Sequence, residues 1–188
     1  LGDSLILGGS SPESEARQRA RPEPAEFAAG KLHSAVLRLR YLPILLFVMW
    51  RSGQGWTRFG WVKPRLKDLL AGFGLWLIVA ALDALIALAF GRRNPWFGLY
   101  PLPISWAHGA PLLLYCCAVA LAEEVEMRAY LIPRLESLTG AAWKAVALSV
   151  LVFGFVHLYK GPVGVVHSLA AGAVWGAAFC LMRRLWPV

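Results

Sequence analysis

Leu69-Leu-Ala-Gly-Phe-Gly-Leu-Trp-Leu-Ile-Val-Ala-Ala-Leu-Asp-Ala-Leu-Ile-Ala-Leu-Ala-Phe90 is a run of 22 residues with a single charge, Asp83. A helix of about 20 apolar residues crosses the hydrocarbon core of a bilayer, and only a helix satisfies its own backbone groups there. Three further runs are long enough to span or nearly so: Ile104 to Ala122, Ala141 to His157 and Pro162 to Met182. The pattern predicts an all-α, multi-spanning bundle of four to five helices in a cell membrane, with the lipid bilayer as its main partner.

Composition agrees. Of 188 residues 58% are hydrophobic, more than a water-soluble domain of this length can bury around one core. The formal charge of +8 raises the question of nucleic acid. The Lys and Arg residues, however, lie in short clusters between apolar runs, so they read as topology signals and no nucleic-acid partner is expected. Arg51 to Lys67, Arg128 to Lys144, and Arg183 with Arg184 are the three cytoplasmic regions by the positive-inside rule, leaving Arg92, Arg93 and Lys160 outside. Trp56, Trp61, Trp96, Trp106, Trp143 and Trp186 lie near segment ends, where indoles suit the headgroup boundary. Cys116, Cys117 and Cys180 make no disulfide framework or zinc spacing and read as small packing residues.

Residues 1–32 are expected to form a disordered polar leader, since 10–32 are rich in Ser, Pro, Ala, Glu and Arg with no apolar period. The membrane domain is 33–188. The run Tyr41 to Trp50 is too short to span unless its helix begins near Ala35 and lets Arg38 and Arg40 snorkel. The short start at Leu1, without Met or basic flank, reads as a fragment.

The chemistry concentrates in Ala122-Glu-Glu-Val-Glu-Met-Arg128, at the end of an apolar helix where charge is costly. On an α-helix Glu124 and Arg128 are four apart in the favourable order for an ion pair, and Glu123 points about 100° away. A carboxylate left unpaired in an apolar pocket is suited to take a proton from water. The next helix carries Phe153 and His157 one turn apart. A carboxylate and an imidazole on neighbouring helices can hold and polarise one water, directly or through a metal. Glu126, three after Glu123, either adds a second carboxylate beside it or faces the cytosol. Asp83, His108 and His167 are weaker candidates with structural roles. Ser168, Gly172, Gly176 and Cys180 recur every four residues and form a packing stripe.

Glu123-Glu124-x-x-x-Arg128 followed by Phe153-x-x-x-His157 resembles the signature of the CPBP family of intramembrane endopeptidases, the type II CAAX prenyl protease, Abi and bacteriocin-processing group. The likeness is strongest over 69–188. It implies a membrane hydrolase of prenylated CAAX-type or other membrane-associated protein or peptide substrates. In that reading Glu123 activates water, His157 helps bind it, and Glu124, Arg128 and Phe153 support them. Any metal, zinc being the obvious one, would sit on Glu123 and His157; the resemblance is equally compatible with none. The family's last motif, His-x-x-x-Asn or His-x-x-x-Asp on a further helix, is expected after a connector such as Arg183 to Pro187 and is absent before Val188. Two other classes stay open: a non-catalytic bundle acting in bacteriocin immunity or as a scaffold, and a transporter subunit with Asp83, Glu123 and His157 along a polar path.

Overall fold

The computed structural model describes residues 23–90 and 105–188. Among these the chain is helical with no strands. The elements are α1 (Pro24–Leu39), α2 (Leu42–Arg51), a 3-10 turn (Trp56–Phe59), α3 (Leu66–Ala89) and α4 (Trp106–Glu123). A π-helical segment (Glu124–Leu131) follows, then α5 (Ile132–Thr139), α6 (Ala142–Val156), a 3-10 turn (Leu158–Lys160) and α7 (Gly161–Met182). Along the bundle α1 packs on α4, α6 on α7, and α3 also on α7.

Three helical stretches are long and apolar enough to cross a membrane: Pro24–Arg51, Leu66–Ala89 and Leu158–Met182. The shorter Ala142–Val156 is also apolar. In the most apolar window of α3 no residue is buried in the protein, and Leu69, Phe73, Trp76 and Leu85 are exposed. An apolar surface on that scale is stable only against lipid. This is a membrane protein.

The first span corrects the sequence reading. The helix starts at Pro24, so residues 24–32, assigned to a disordered leader, are helical; residues 1–22 lie outside the described residues. Composition missed this because α1 is held by tertiary contacts: the Phe27 ring lies 5.2 Å from His108, and Lys31 sits 4.9 Å over the Tyr115 ring of α4. Pro43 explains the break between α1 and α2. It lacks an N–H, and its ring would collide with the carbonyl four residues back. The other expected segments shift by a few residues at their described ends. Trp96, Arg92, Arg93 and Ile104 lie outside the described residues.

The densest core lies at one end of the bundle, where Met49, Phe59, Val125, Ile132, Ala145 and Phe179 are buried together with Leu185. The segment after α7 is part of it. Arg183 turns the chain in the left-handed region at φ 51°. The Leu185 N–H then donates to the Gly60 carbonyl at 3.0 Å, and Trp186 Nε1 donates to the Val62 carbonyl. Gly60, itself at φ 77°, is obligatory here: a Cβ would meet Phe179 at 2.6 Å and the Leu185 nitrogen at 3.0 Å.

Two bidentate pairs lock this end. Arg184 donates to both Asp68 oxygens at 2.7 Å and to the Lys63 carbonyl, while Asp68 accepts the Arg65 N–H at the start of α3. Arg183 donates to both Glu136 oxygens at 2.7 and 2.6 Å. Arg183 to Pro187, read from sequence as a connector with topology charges, is therefore a packed clamp. Trp61 and Trp186 likewise meet edge to face at 5.8 Å, whereas Trp106 and Trp143 stay exposed at helix starts.

Glu136 lies beyond the spanning helices, and its hydrogen bonds to Arg183 hold its carboxyl below the ordinary 4.5. A lowered folded pKa gives stability that is complete above the unfolded value and is lost as pH falls through the folded one. Thermal unfolding in detergent should therefore show a Tm decline below about pH 4.5 that is shallower in Glu136→Gln, with Glu136→Gln also lowering Tm at pH 7.

Candidate active site

Glu123 ends α4 and Glu124 opens the π-helical segment. The wider winding was not legible in the sequence, which was read on α-helical geometry. Its hallmark is the Ile132 N–H bonded to the Met127 carbonyl, five residues back. Pro133 supplies a reason: an α-helical register there lacks a donor and crowds the Ala129 carbonyl, which widening avoids. The segment runs without a break into α5, with Val125, Arg128 and Ala129 buried.

Arg128 is only 2% exposed. Its Nη1 lies 3.1 Å from Glu124 Oε1, the pair anticipated from the spacing. The contact is an ion pair without hydrogen-bond alignment, and Nη1 and Glu124 Oε2 have no hydrogen-bond partner among the described residues. The desolvated setting expected for the first glutamate belongs to the second: the Glu124 side chain is 15% exposed and that of Glu123 is 29%.

The guanidinium of Arg128 also lies 5.0 Å over the Phe153 ring, and that ring lies 4.4 Å from the His157 imidazole. The three side chains form a row from the π segment across to the end of α6, with the two rings tilted by 57°. Phe153 acts a second time through its carbonyl, 2.7 Å from His157 Nδ1. A carbonyl only accepts, so Nδ1 carries a proton, and in the neutral form of the ring Nε2 is the nitrogen that keeps its lone pair. Nε2 lies 4.0 Å from Glu123 Oε1.

That pair of acceptors suits a water that donates one proton to each. At hydrogen-bond lengths of about 2.8 Å, acceptors 4.0 Å apart subtend about 90° at the water oxygen, close to the molecule's own angle. Zinc fits less well. With ligand distances of about 2.1 Å, donors 4.0 Å apart subtend about 145°, where a tetrahedral site needs about 110°. No group of three His, Cys, Asp or Glu residues is placed to hold a metal ion among the described residues. The residues described do not form a catalytic zinc set.

Glu123 and His157 open into a cavity of about 330 Å³ lined also by Arg38, Tyr115, Tyr159 and Lys160. Arg38 and Tyr115 continue into a neighbouring cavity of about 470 Å³ with Arg40 and Glu126. Glu126 thus lines the outer cavity with the α1 arginines and is not among the residues lining the Glu123 cavity. Asp83 pairs instead with His167, Oδ1 to Nε2 3.5 Å, between α3 and α7, and is not among the lining residues of either cavity. His108 sits at the start of α4, 3.0 Å from Ser105 Oγ. Cys116 and Cys117 are exposed, contrary to a packing role, and Cys116 borders the Glu123 cavity. Sequence reasoning missed Arg38 because it treated that side chain as a membrane-surface snorkel, and it missed Lys160 as a plain loop charge. The one available signal was that Lys160 follows His157 by three residues.

A scan against family models matches residues 33–188 to the type II CAAX prenyl endopeptidase Rce1-like family. The chain belongs to this family. Searches of curated proteins and of solved structures gave no match. The Rce1-like match spans the whole described bundle from within α1 onward, so the Glu123 and His157 arrangement stands inside a protease family fold.

The stripe on α7 sets how closely this row is held. Ser168, Gly172 and Gly176 are buried, and a Cβ on Gly172 would stand 3.1 Å from Phe153 Cδ1. Gly172→Val should cost about 1–3 kcal/mol by overpacking, read as a Tm drop in detergent. It should also displace the Phe153 ring, read as a shift of the His157 ring resonances in the NMR spectrum of the fraction that stays folded.

Proposed function

We propose that this chain is a multi-pass endopeptidase of the cell membrane that hydrolyses a peptide bond in a prenylated CAAX-type protein, with Glu123 as general base. The observation that carries this reading is the facing of Glu123 Oε1 and His157 Nε2 across 4.0 Å, with Nδ1 committed to the Phe153 carbonyl. Two fixed acceptors orient a water so that its remaining lone pair points into the cavity where a peptide carbonyl can enter.

The chemistry balances with these residues. Glu123 removes one water proton as the oxygen attacks the carbonyl carbon, giving a tetrahedral intermediate with negative charge on the former carbonyl oxygen. Collapse breaks the C–N bond, and the proton on Glu123 passes to the leaving nitrogen. The products are a carboxylic acid and a free amine, and the acid's proton, the second from the water, then passes to the amine or to solvent to leave a carboxylate. His157 keeps its Nδ1 proton throughout and uses Nε2 to hold the water. Arg128 and Glu124 act at one remove, by fixing Phe153 and with it the imidazole.

A general base contributes about 10²–10⁴-fold to rate. Purified protein in proteoliposomes should cleave a farnesylated CAAX peptide, and Glu123→Gln should lower kcat by about that factor while leaving Tm close to wild type. His157→Ala should also lose most activity. Full activity in Glu123→Gln would remove Glu123 from the base role, and failure of the wild type on prenylated peptides would remove the substrate class.

A further inference from the structure

The clamped end of the bundle is basic, and its acids are already spent. Between residues 42 and 82 the one acid is Asp68, and between 127 and 188 the one acid is Glu136. Arg184 takes both oxygens of the first and Arg183 both oxygens of the second. Arg58, in the 3-10 turn between α2 and α3, is left to donate from Nη2 to Ser137 Oγ of α5 at 3.0 Å. The Ser137 hydroxyl gives its own proton to the Pro133 carbonyl at 2.8 Å, so it holds the guanidinium purely as an acceptor. Arg134 lies three residues before Ser137 on the same face of α5, its guanidinium 5.7 Å over the Tyr130 ring. Neither Arg58 nor Arg134 is within ion-pair distance of a carboxylate among the described residues. Apolar side chains flank both: Trp56 and Leu138 are exposed, the leucine by 83%. At the same end the first turn of α3 exposes Leu66 and Leu69, which places the edge of the lipid there.

We infer that Arg58 and Arg134 form a headgroup subsite for one anionic phospholipid, with Trp56 and Leu138 against the upper part of its acyl chains. An indole and a leucine beside two guanidinium groups match the boundary at which a lipid changes from hydrocarbon to phosphate. A guanidinium grips two phosphate oxygens in a planar fork, which a lysine cannot do. The Ser137 hydrogen bond already fixes where the Arg58 fork stands, so less side-chain freedom is lost on binding. A zwitterionic headgroup carries its own cation beside the phosphate and gains less from the two arginines. Bound lipid would bridge the 3-10 turn and α5, the two elements that Arg58 and Ser137 join. None of these residues lines the Glu123 cavity, and the inference stands apart from the protease reading.

The test is native mass spectrometry of the full chain in detergent with phosphatidylglycerol and phosphatidylcholine added in equal amounts. The wild type should retain phosphatidylglycerol as a single preferred adduct. A basic side chain near an anionic headgroup is worth about fivefold in binding. Arg58→Gln combined with Arg134→Gln should therefore cut that preference by about 25-fold, and Arg134→Gln alone, which leaves the Ser137 bond in place, by about fivefold. Lys63→Gln combined with Lys67→Gln removes the same charge from the start of α3 and should leave most of the preference. Equal retention of the two lipids by the wild type overturns the subsite. So does an equal loss in the two double variants, which is the signature of a diffuse basic field. Salt at about 1 M, where the screening length is about 3 Å, should abolish the preference in the wild type without any variant, and a preference that survives it also overturns the assignment. A thermal shift read in parallel separates lipid from free anion: phosphatidylglycerol should raise the wild-type Tm and inorganic phosphate should not, whereas an equal rise with inorganic phosphate removes the lipid.

Discussion

A guanidinium that is almost wholly out of contact with solvent has to be compensated. Arg128 is the largest of the fully buried side chains, and burying a lone charge costs several kcal/mol. Its compensation comes from two directions: the Glu124 carboxylate on its own helical segment and the Phe153 ring on α6. The first contact ties the acid motif to itself, and the second ties α4 and its π extension to α6. Because the Phe153 ring also lies against His157 and its carbonyl accepts a hydrogen bond from Nδ1, the position of the arginine propagates to Nε2. The facing of His157 Nε2 and Glu123 Oε1 therefore depends on how one buried charge is accommodated. Buried ion pairs seldom add net stability, and the role of this one is to specify an arrangement.

The bundle separates two kinds of environment. The α3 helix offers its apolar side chains to lipid and touches the rest mainly along α7. Polar chemistry gathers instead where α1 packs on α4, in chambers lined by Arg38, Tyr115, Glu123 and Lys160. The Asp83–His167 pair is the exception. It joins α3 to α7 in the middle of otherwise apolar helices, a polar contact where hydrophobic packing cannot drive association. At the clamped end, Arg183 and Arg184 each satisfy a carboxylate from a different element, so the last residues hold α3 and α5 at fixed distances from α7.

Residue type and order were enough for the fold class, the spanning runs and the chemical motifs. Apolar runs on the scale of a bilayer permit only helices, and Glu124 with Arg128, or Phe153 with His157, lie close on any helix because the spacing is local. The packing stripe from Ser168 to Gly176 was legible for the same reason, as a period of four on one helix. None of these readings needs knowledge of a neighbour.

What depended on neighbours was not legible. Residues 24–32 look loose by composition, and they are helical because α4 supplies partners for Phe27 and Lys31. The π winding arises from Pro133, just beyond the acid motif, acting together with a core that buries Val125 and Ala129. The burial assigned to Glu123 went to Glu124, since exposure is decided by which face meets α6 and which meets the cavity. Arg38 is 85 residues from Glu123 in the chain and reaches the same chamber only through the packing of α1 on α4. By itself the sequence determined which groups are available and which local pairs they form; only the tertiary structure decided which of them share a cavity, because that follows from long-range packing, which leaves no periodic trace in the chain.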